Sequence, residues 1–328
     1  EALIALTGCD LTIACPSFPA AGRTTYRGHL FVGNALLSDS PLKDHPLNPM
    51  HDANLVRILA RQTALPVGLV TIDSIAQGEA AVRAAFAVQR AAGKRIVIVD
   101  TLQDADLRTI GAACSDMPLV TGGSGIALGL AANFVKTGKV APRPAQTRML
   151  APVGRSVVLA GSCSVATRGQ IAAAQAAGFP TMAVDVSALQ AGQQSAALLA
   201  DWAIAQPYAS IPLIYSSADP VTLQAVQARL GQHASGALVE ATLADVARRL
   251  QEAGFTRYLI AGGETSGAVV AALGVTTLEI GPEIAPGVPW TRSILGPDLV
   301  LALKSGNFGA EDFFLTAWTL LETEMANV

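Results

Sequence analysis

Four stretches set glycines and hydroxyl side chains where an apolar run gives way to a helical pattern. They are LVTGGSGIALG (119–129), VLAGSCSVATRGQI (158–171), LIAGGETSGAVV (259–270) and LALKSGNFGAEDFF (301–314). The first turn of a helix leaves backbone N–H groups unpaired and carries partial positive charge. Glycine lets the backbone approach an anion closely, and Ser and Thr add donors, so such a turn can cradle a phosphate. The same residues are also ordinary helix N-caps. Three of the turns lie in the second half of the chain, which favours one shared phosphate ligand. Glu264, within the GGETS turn, is either a carboxylate stabilised by the helix dipole or a group that meets phosphate through Mg²⁺, water or a ribose hydroxyl. Lys304 ends an apolar run and either offsets phosphate charge or is a simple strand-end lysine.

Two other nucleotide signatures fail. No GxxxxGK[ST] stretch occurs, which excludes a P-loop. GGSGIALG approaches GxGxxG but has Leu128 at the third glycine, and no ribose-binding acid follows at the usual distance, so a nicotinamide-dependent oxidoreductase is the weaker alternative. A non-catalytic sensor of small acids is a second one.

The elements that would hold these turns alternate in type. Short β-branched runs appear at 11–16, 66–72, 95–100, 117–122, 156–161, 181–186, 211–217, 258–263, 276–281 and 299–306, with helical patterns such as 74–93 between them and an amphipathic helix expected over 310–324. This predicts an α/β protein of two domains, each a largely parallel sheet with helices on both faces, and an interdomain cleft. The expected boundaries are a domain over 1–140, a Pro-containing linker over 141–155 and a second domain over 156–328.

The chain of 328 residues is 51% hydrophobic and 14% charged, as suits large cores, and its net charge of −3 gives no basic footprint for nucleic acid or anionic membranes. No stretch reads as a transmembrane helix. Cys9, Cys15, Cys114 and Cys163 are scattered, without metal-ligand spacing, and read as reduced thiols of a cytoplasmic protein. The segment 16–55 is irregular and polar, and gathers Arg23, Arg27, His29, Lys43, His45 and His51. It is either a site for a small anion or a solvated loop leading into a helix capped by Asp52 or Asn54. Asp100 ends a strand and is a candidate for a metal or a substrate hydroxyl, whereas Asp104 and Asp106 are placed to begin the next helix.

CPSFPAAGRTTYRGHLFVG, HPLNPMHDANLVRILARQT, VIVDTLQDADL, GSCSVATRGQI, AGGETSGAVV and LALKSGNFGAEDFF together resemble the four-carbon acid sugar kinases, most closely their 3-oxo-tetronate kinase branch. The resemblance runs from about Leu11 to the C-terminus. It implies a bacterial enzyme that uses ATP to phosphorylate the 4-hydroxyl of a 3-oxo-tetronate, with Mg²⁺, and it allows a homodimer. It implies that Ser162, Ser164, Gly262, Gly263, Glu264, Thr265, Ser266 and Gly306 meet ATP, and that Arg23, Thr24, Gly28 and His29 meet the sugar acid. The family's Asp-Asp-x-Thr-Gly strand end is absent from these residues. The expectation is that residues precede Glu1 in the gene and hold the catalytic base, so no base is assigned.

Overall fold

A computed structural model describes all residues except 45–47, 143, 217–231 and 324–328. They form two compact units, Glu1–Pro144 and Ala145–Val328. His45, one of the basic residues noted above, lies outside the described residues, as does the last residue of the expected 211–217 strand.

The first unit is built on four strands, β1 (Thr12–Cys15), β5 (Val67–Val70), β6 (Ile96–Val99) and β7 (Thr121–Gly122). They run in the order β5-β6-β1-β7, all parallel. One face is covered by Glu79–Ala91 and Asp104–Ala113, which bury Val82, Phe86, Leu107 and Ile110 against Leu11, Ile13, Val97 and Val99. The helix Leu55–Ala60 lies against the other face. The helical stretch expected over 74–93 is divided at Gly78, giving Ile72–Ile75 and Glu79–Ala91. Between β1 and the Leu55–Ala60 helix, the irregular segment makes a small antiparallel meander of β2 (Arg23–Tyr26), β3 (His29–Val32) and β4 (Ala35–Leu36).

The second unit holds a seven-stranded sheet. Its strands are β9 (Arg155–Ala160), β10 (Thr181–Ala183), β11 (Leu213–Tyr215), β12 (Phe255–Ala261), β13 (Thr277–Ala285), β14 (Val288–Leu295) and β15 (Val300–Lys304), in the order β10-β11-β9-β12-β15-β14-β13. The first five in that order are parallel, and the β13–β14 hairpin is antiparallel. Ala196–Ile204, Gln232–Glu252 and Gly263–Ala272 pack on one face, and Val165–Ala176 with Phe313–Leu320 on the other.

Two local expectations change. Within the stretch expected as linker, β8 (Met149–Ala151) pairs with β16 (Leu321–Thr323). The amphipathic helix expected over 310–324 is instead a single turn, Phe313–Thr316, a 3-10 turn, Ala317–Leu320, and β16. The cause is packing. The Trp290 indole donates to Ala317 O at 2.8 Å, and Phe313, Phe314 and Ala317 are buried against the sheet, so the segment follows the sheet rather than one helical stripe.

The glycines of 119–129 have a structural task. Helix Asp104–Ala113 crosses helix Ala127–Lys136 so closely that a Cβ on Gly129 would stand 1.9 Å from Leu107 O, and one on Gly111 2.2 Å from Gly129 O. A Cβ on Gly122 or Gly125 would lie 2.3 Å from the backbone oxygens of Cys15 and Ser17. These positions admit backbone contact alone. Gly129→Ala is therefore expected to force the helices apart and cost about 1–3 kcal/mol. Gly267→Ala, where a Cβ would meet nothing within 4 Å, should be neutral or stabilise by about 0.5–1 kcal/mol. Thermal or urea unfolding of the two variants separates them, and equal stabilities would contradict the close helix contact.

Candidate active site

Three of the four glycine turns meet in the second unit. β9, β12 and β15 are neighbours and parallel, so their carboxyl ends place 161–164, 262–266 and 305–309 side by side, where open α/β sheets bind ligands. Backbone bonds tie the turns together. Gly161 N and Ser162 N donate to Ala261 O at 3.0 and 3.1 Å, and Gly262 N donates to Lys304 O at 2.8 Å.

Each turn has a distinct construction. Ser164 caps helix Val165–Ala176 by accepting from Thr167 N, and Ser162 Oγ accepts from Ser164 N at 3.2 Å. Gly262 begins helix Gly263–Ala272 at φ 133° and ψ 133°, a conformation that favours glycine. A Cβ there would be 2.8 Å from the buried Thr265 Oγ1, which equally excludes a side chain at Gly161, where the distance would be 2.2 Å. Thr265 thus acts as a packing post under the turn. Gly263 and Glu264 are exposed at the helix start, and a Cβ on Gly263 would meet nothing within 4 Å. Ser266 Oγ is buried without a hydrogen-bond partner.

The third turn is held from below. Gly306 O accepts from Ser164 Oγ at 2.6 Å, Thr167 Oγ1 at 2.9 Å and Lys304 Nζ at 2.9 Å. Gln170 Nε2 donates to the carbonyls of Phe308, Gly309 and Ala310 at 3.1, 3.1 and 2.9 Å. A Cβ on Gly306 would stand 2.2 Å from Ser162 Oγ, so the first and third turns touch at a point where only glycine fits. Lys304 is fully buried, and desolvation lowers its pKa to about 7. Thr167 and Gln170 escape sequence reasoning. Their signal is present, however: polar residues three and six positions after Ser164, on a helix that buries Ile171 and Ala174.

In the first unit, Asp100 takes a different part from the one expected. Its fully buried carboxylate accepts from Arg27 N and Gly28 N at 2.8 Å each and from Ile72 N at 3.1 Å. Those bonds commit it to positioning backbone rather than to a metal or substrate hydroxyl. It fixes the turn between β2 and β3, where Arg27 and Gly28 adopt φ of 51° and 73°. Thr25 and Thr101 exchange backbone bonds at 2.8 and 2.9 Å, and Thr25 Oγ1 pairs with Ser17 Oγ at 2.7 Å. Asp106 forms a capping box with Gln103, and Asp104 accepts from Ala20 N, so both belong to the helix start. Asn54 caps Leu55–Ala60, while Asp52 accepts from Arg57 and is held well below the usual carboxylate range by those bonds.

The residues expected to meet the sugar acid are close in the meander but not equivalent. Gly28 N is spent on Asp100. His29 Nδ1 stands 2.9 Å from Arg27 O, which requires a proton on Nδ1 and leaves Nε2 to accept from Asn54 Nδ2 at 3.2 Å. Both ring nitrogens therefore brace the loop. Arg23 and Thr24 are half-buried on β2. Burial lowers the pKa of the Arg23 guanidinium, which still remains protonated.

The chain matches two family models. One is described as a sugar-binding N-terminal domain, over residues 1–130, and the other as a nucleotide-binding C-terminal domain, over residues 157–314. The 3-oxo-tetronate kinase of Pseudomonas fluorescens is 52% identical over 318 residues, 97% of this chain and 73% of that one. The 3-oxo-tetronate kinase of Burkholderia multivorans is 50% identical over 325 residues, 98% and 75% of the two chains. Among solved structures, a Salmonella typhimurium LT2 protein superposes with a TM-score of 0.79 at 39% identity, over 96% of this chain and 74% of that one. Haemophilus influenzae HI1011 does so with a TM-score of 0.68 at 38% identity, over 97% and 76%. With half its residues identical over nearly its whole length, the chain belongs to the 3-oxo-tetronate kinase family, whose members join a sugar-binding N-terminal domain to a nucleotide-binding C-terminal domain.

Proposed function

We propose that this chain is an ATP-dependent kinase that phosphorylates the 4-hydroxyl of a 3-oxo-tetronate in the bacterial cytoplasm, as part of four-carbon sugar acid breakdown. Relatives identical at about half of the aligned residues are named 3-oxo-tetronate kinase. The observation that carries the reading is the convergence of three glycine turns at the carboxyl ends of β9, β12 and β15, inside the region matched by the nucleotide-binding model.

Phosphoryl transfer asks chiefly for positioning and charge stabilisation. ATP phosphates would lie against Ser162 and Ser164, the Gly262–Ser266 helix start and the loop at Gly306, meeting backbone N–H groups and hydroxyls. Among the described residues, no group of three His, Cys, Asp or Glu side chains could hold a metal alone. Mg²⁺ fits this site as an ion carried mainly on phosphate oxygens, the usual pattern for this cation. The exposed Glu264 carboxylate would repel bare phosphate, so it would act through Mg²⁺, water or a ribose hydroxyl. When bound, Mg²⁺ supplies charge neutralisation. The residues of 1–140 would take the sugar acid, with Arg23 and Thr24 offering donors to its carboxylate and Gly28 and His29 shaping the loop. The nucleotide domain would occupy 156–328.

A nicotinamide-dependent reading loses support, since Gly125 of the GxGxxG-like stretch is accounted for by close packing, a Cβ there lying 2.3 Å from Ser17 O. Titration of the protein with ATP and with NADH should show saturable ATP binding alone. NADH binding without ATP binding would refute the kinase reading.

Two substitutions test the sites separately. Gly263→Asp places a carboxylate in open space at the helix start. It is expected to raise the KM for ATP at least about tenfold, equivalent to about 1.4 kcal/mol, with little change in Tm. Steady-state kinetics with ATP varied will check this, and an unchanged KM would remove the turn from the site. Asp100→Asn turns an amide NH₂ toward backbone donors and should loosen the 27–28 turn by about 1–3 kcal/mol. The KM for the sugar acid is expected to rise while ATP affinity stays within about twofold. An equal loss for both ligands would show a general folding defect instead.

A further inference from the structure

Lys304 is fully buried at the end of β15, and its three ammonium protons are all directed at uncharged oxygens. The acceptors are Gly306 O at 2.9 Å, Ser305 O at 3.2 Å and Thr167 Oγ1 at 3.3 Å. It forms no ion pair among the described residues. Next to it on the paired strand stand Ala261 and Gly262, which carry no charge. On the packed helix Val165–Ala176, the Arg168 guanidinium donates to Cys163 O. Glu264, Glu311 and Asp312 are the acidic groups of the flanking helix start and loop, and all three are exposed. A buried cation with carbonyl and hydroxyl ligands only is poorly compensated.

The Gly306 carbonyl shares this arrangement. Three donors on one carbonyl oxygen fix the plane of the peptide that follows it. In a trans peptide the C=O and the next N–H point in opposite directions. With the Gly306 carbonyl drawn inward by Lys304, Ser164 and Thr167, the Asn307 N–H is turned outward. Asn307 itself is exposed.

We propose that Lys304 is a positioning residue: its buried amino group draws the Gly306 carbonyl inward so that the Asn307 N–H faces a bound polyphosphate, and it takes up one proton from solvent when that polyphosphate arrives. This rests on the reading of the three turns as a nucleotide site. Burial lowers the Lys304 pKa to about 7 in the free protein. A polyanion on the loop above favours the charged form and raises it again. Binding and protonation are then linked: nucleotide affinity falls as pH rises above the free-protein value, while below it the lysine is already charged.

The test is calorimetric titration of the protein with MgATP, without sugar acid, in buffers of different ionisation enthalpy. The dependence of the observed enthalpy on the buffer gives the protons taken up. Wild type is expected to take up close to one proton more per nucleotide than Lys304→Arg at about pH 8, and the difference should shrink toward zero at about pH 6. Lys304→Arg keeps a permanent charge, and so remains informative where Lys304→Met fails to fold. Lys304→Met is expected to bind MgATP at least about tenfold more weakly at pH 6, where the wild-type charge is present. Equal proton uptake by wild type and Lys304→Arg at both pH values overturns the proposal while leaving the nucleotide site intact. No MgATP binding by wild type would overturn the nucleotide reading, and this inference with it.

Discussion

The carbonyl oxygen of Gly306 ties the loop after β15 to the start of helix Val165–Ala176. It receives Ser164, Thr167 and Lys304 at 2.6–2.9 Å, although a carbonyl offers two lone pairs. Neutral hydrogen bonds are each worth about 0.5–1.5 kcal/mol net, and those from charged donors about 1.5–3 kcal/mol. Together they outweigh the freedom of one glycine loop. Gln170 draws three further carbonyls inward. With the Gly306 carbonyl committed inward, the Asn307 N–H is turned outward, while Phe308 N donates to Ser305 O at 3.2 Å. Burying the Lys304 amino group without a carboxylate opposes folding, so the cores on both faces of the seven-stranded sheet must offset it.

The first unit solves a similar problem with the opposite charge. Asp100 collects three backbone N–H groups at the end of β6 and thereby holds a turn containing two residues of positive φ. His29 and Asn54 brace the same turn from the side. In both units a buried polar side chain at a central strand end organises an irregular loop. In each case the fold of the loop consumes the side chain beneath it.

Much of the fold was legible because its strands are buried on both faces and read as uninterrupted apolar runs, as IVIV at 96–99 and YLIA at 258–261 do. The three glycine turns of the second unit were legible for the same reason: each directly follows such a run. Their contact with one another was not, since strand order depends on long-range pairing that no local pattern encodes. The role of Asp100 is not legible in the sequence, because its partners, Arg27 N, Gly28 N and Ile72 N, are distant backbone atoms without a sequence signature. The C-terminal segment looked helical because its apolar residues recur at helical spacing. Burial of Phe313, Phe314 and Ala317 against the sheet, with the Trp290 indole bonded to Ala317 O, overrides that period. The β13–β14 hairpin was only half seen. Its second strand, VPWTRSIL, mixes proline, arginine and serine into the apolar pattern.

A kinase of this construction must couple nucleotide use to its acceptor. The most direct measurement is ADP release by the protein with MgATP over a panel of four-carbon acids. The expected result is saturable ADP release that depends on a 3-oxo-tetronate, with the phosphate found on its 4-hydroxyl. ATP binding without ADP release for every acid tested, or oxidation of a nicotinamide cofactor in its place, would contradict the assignment.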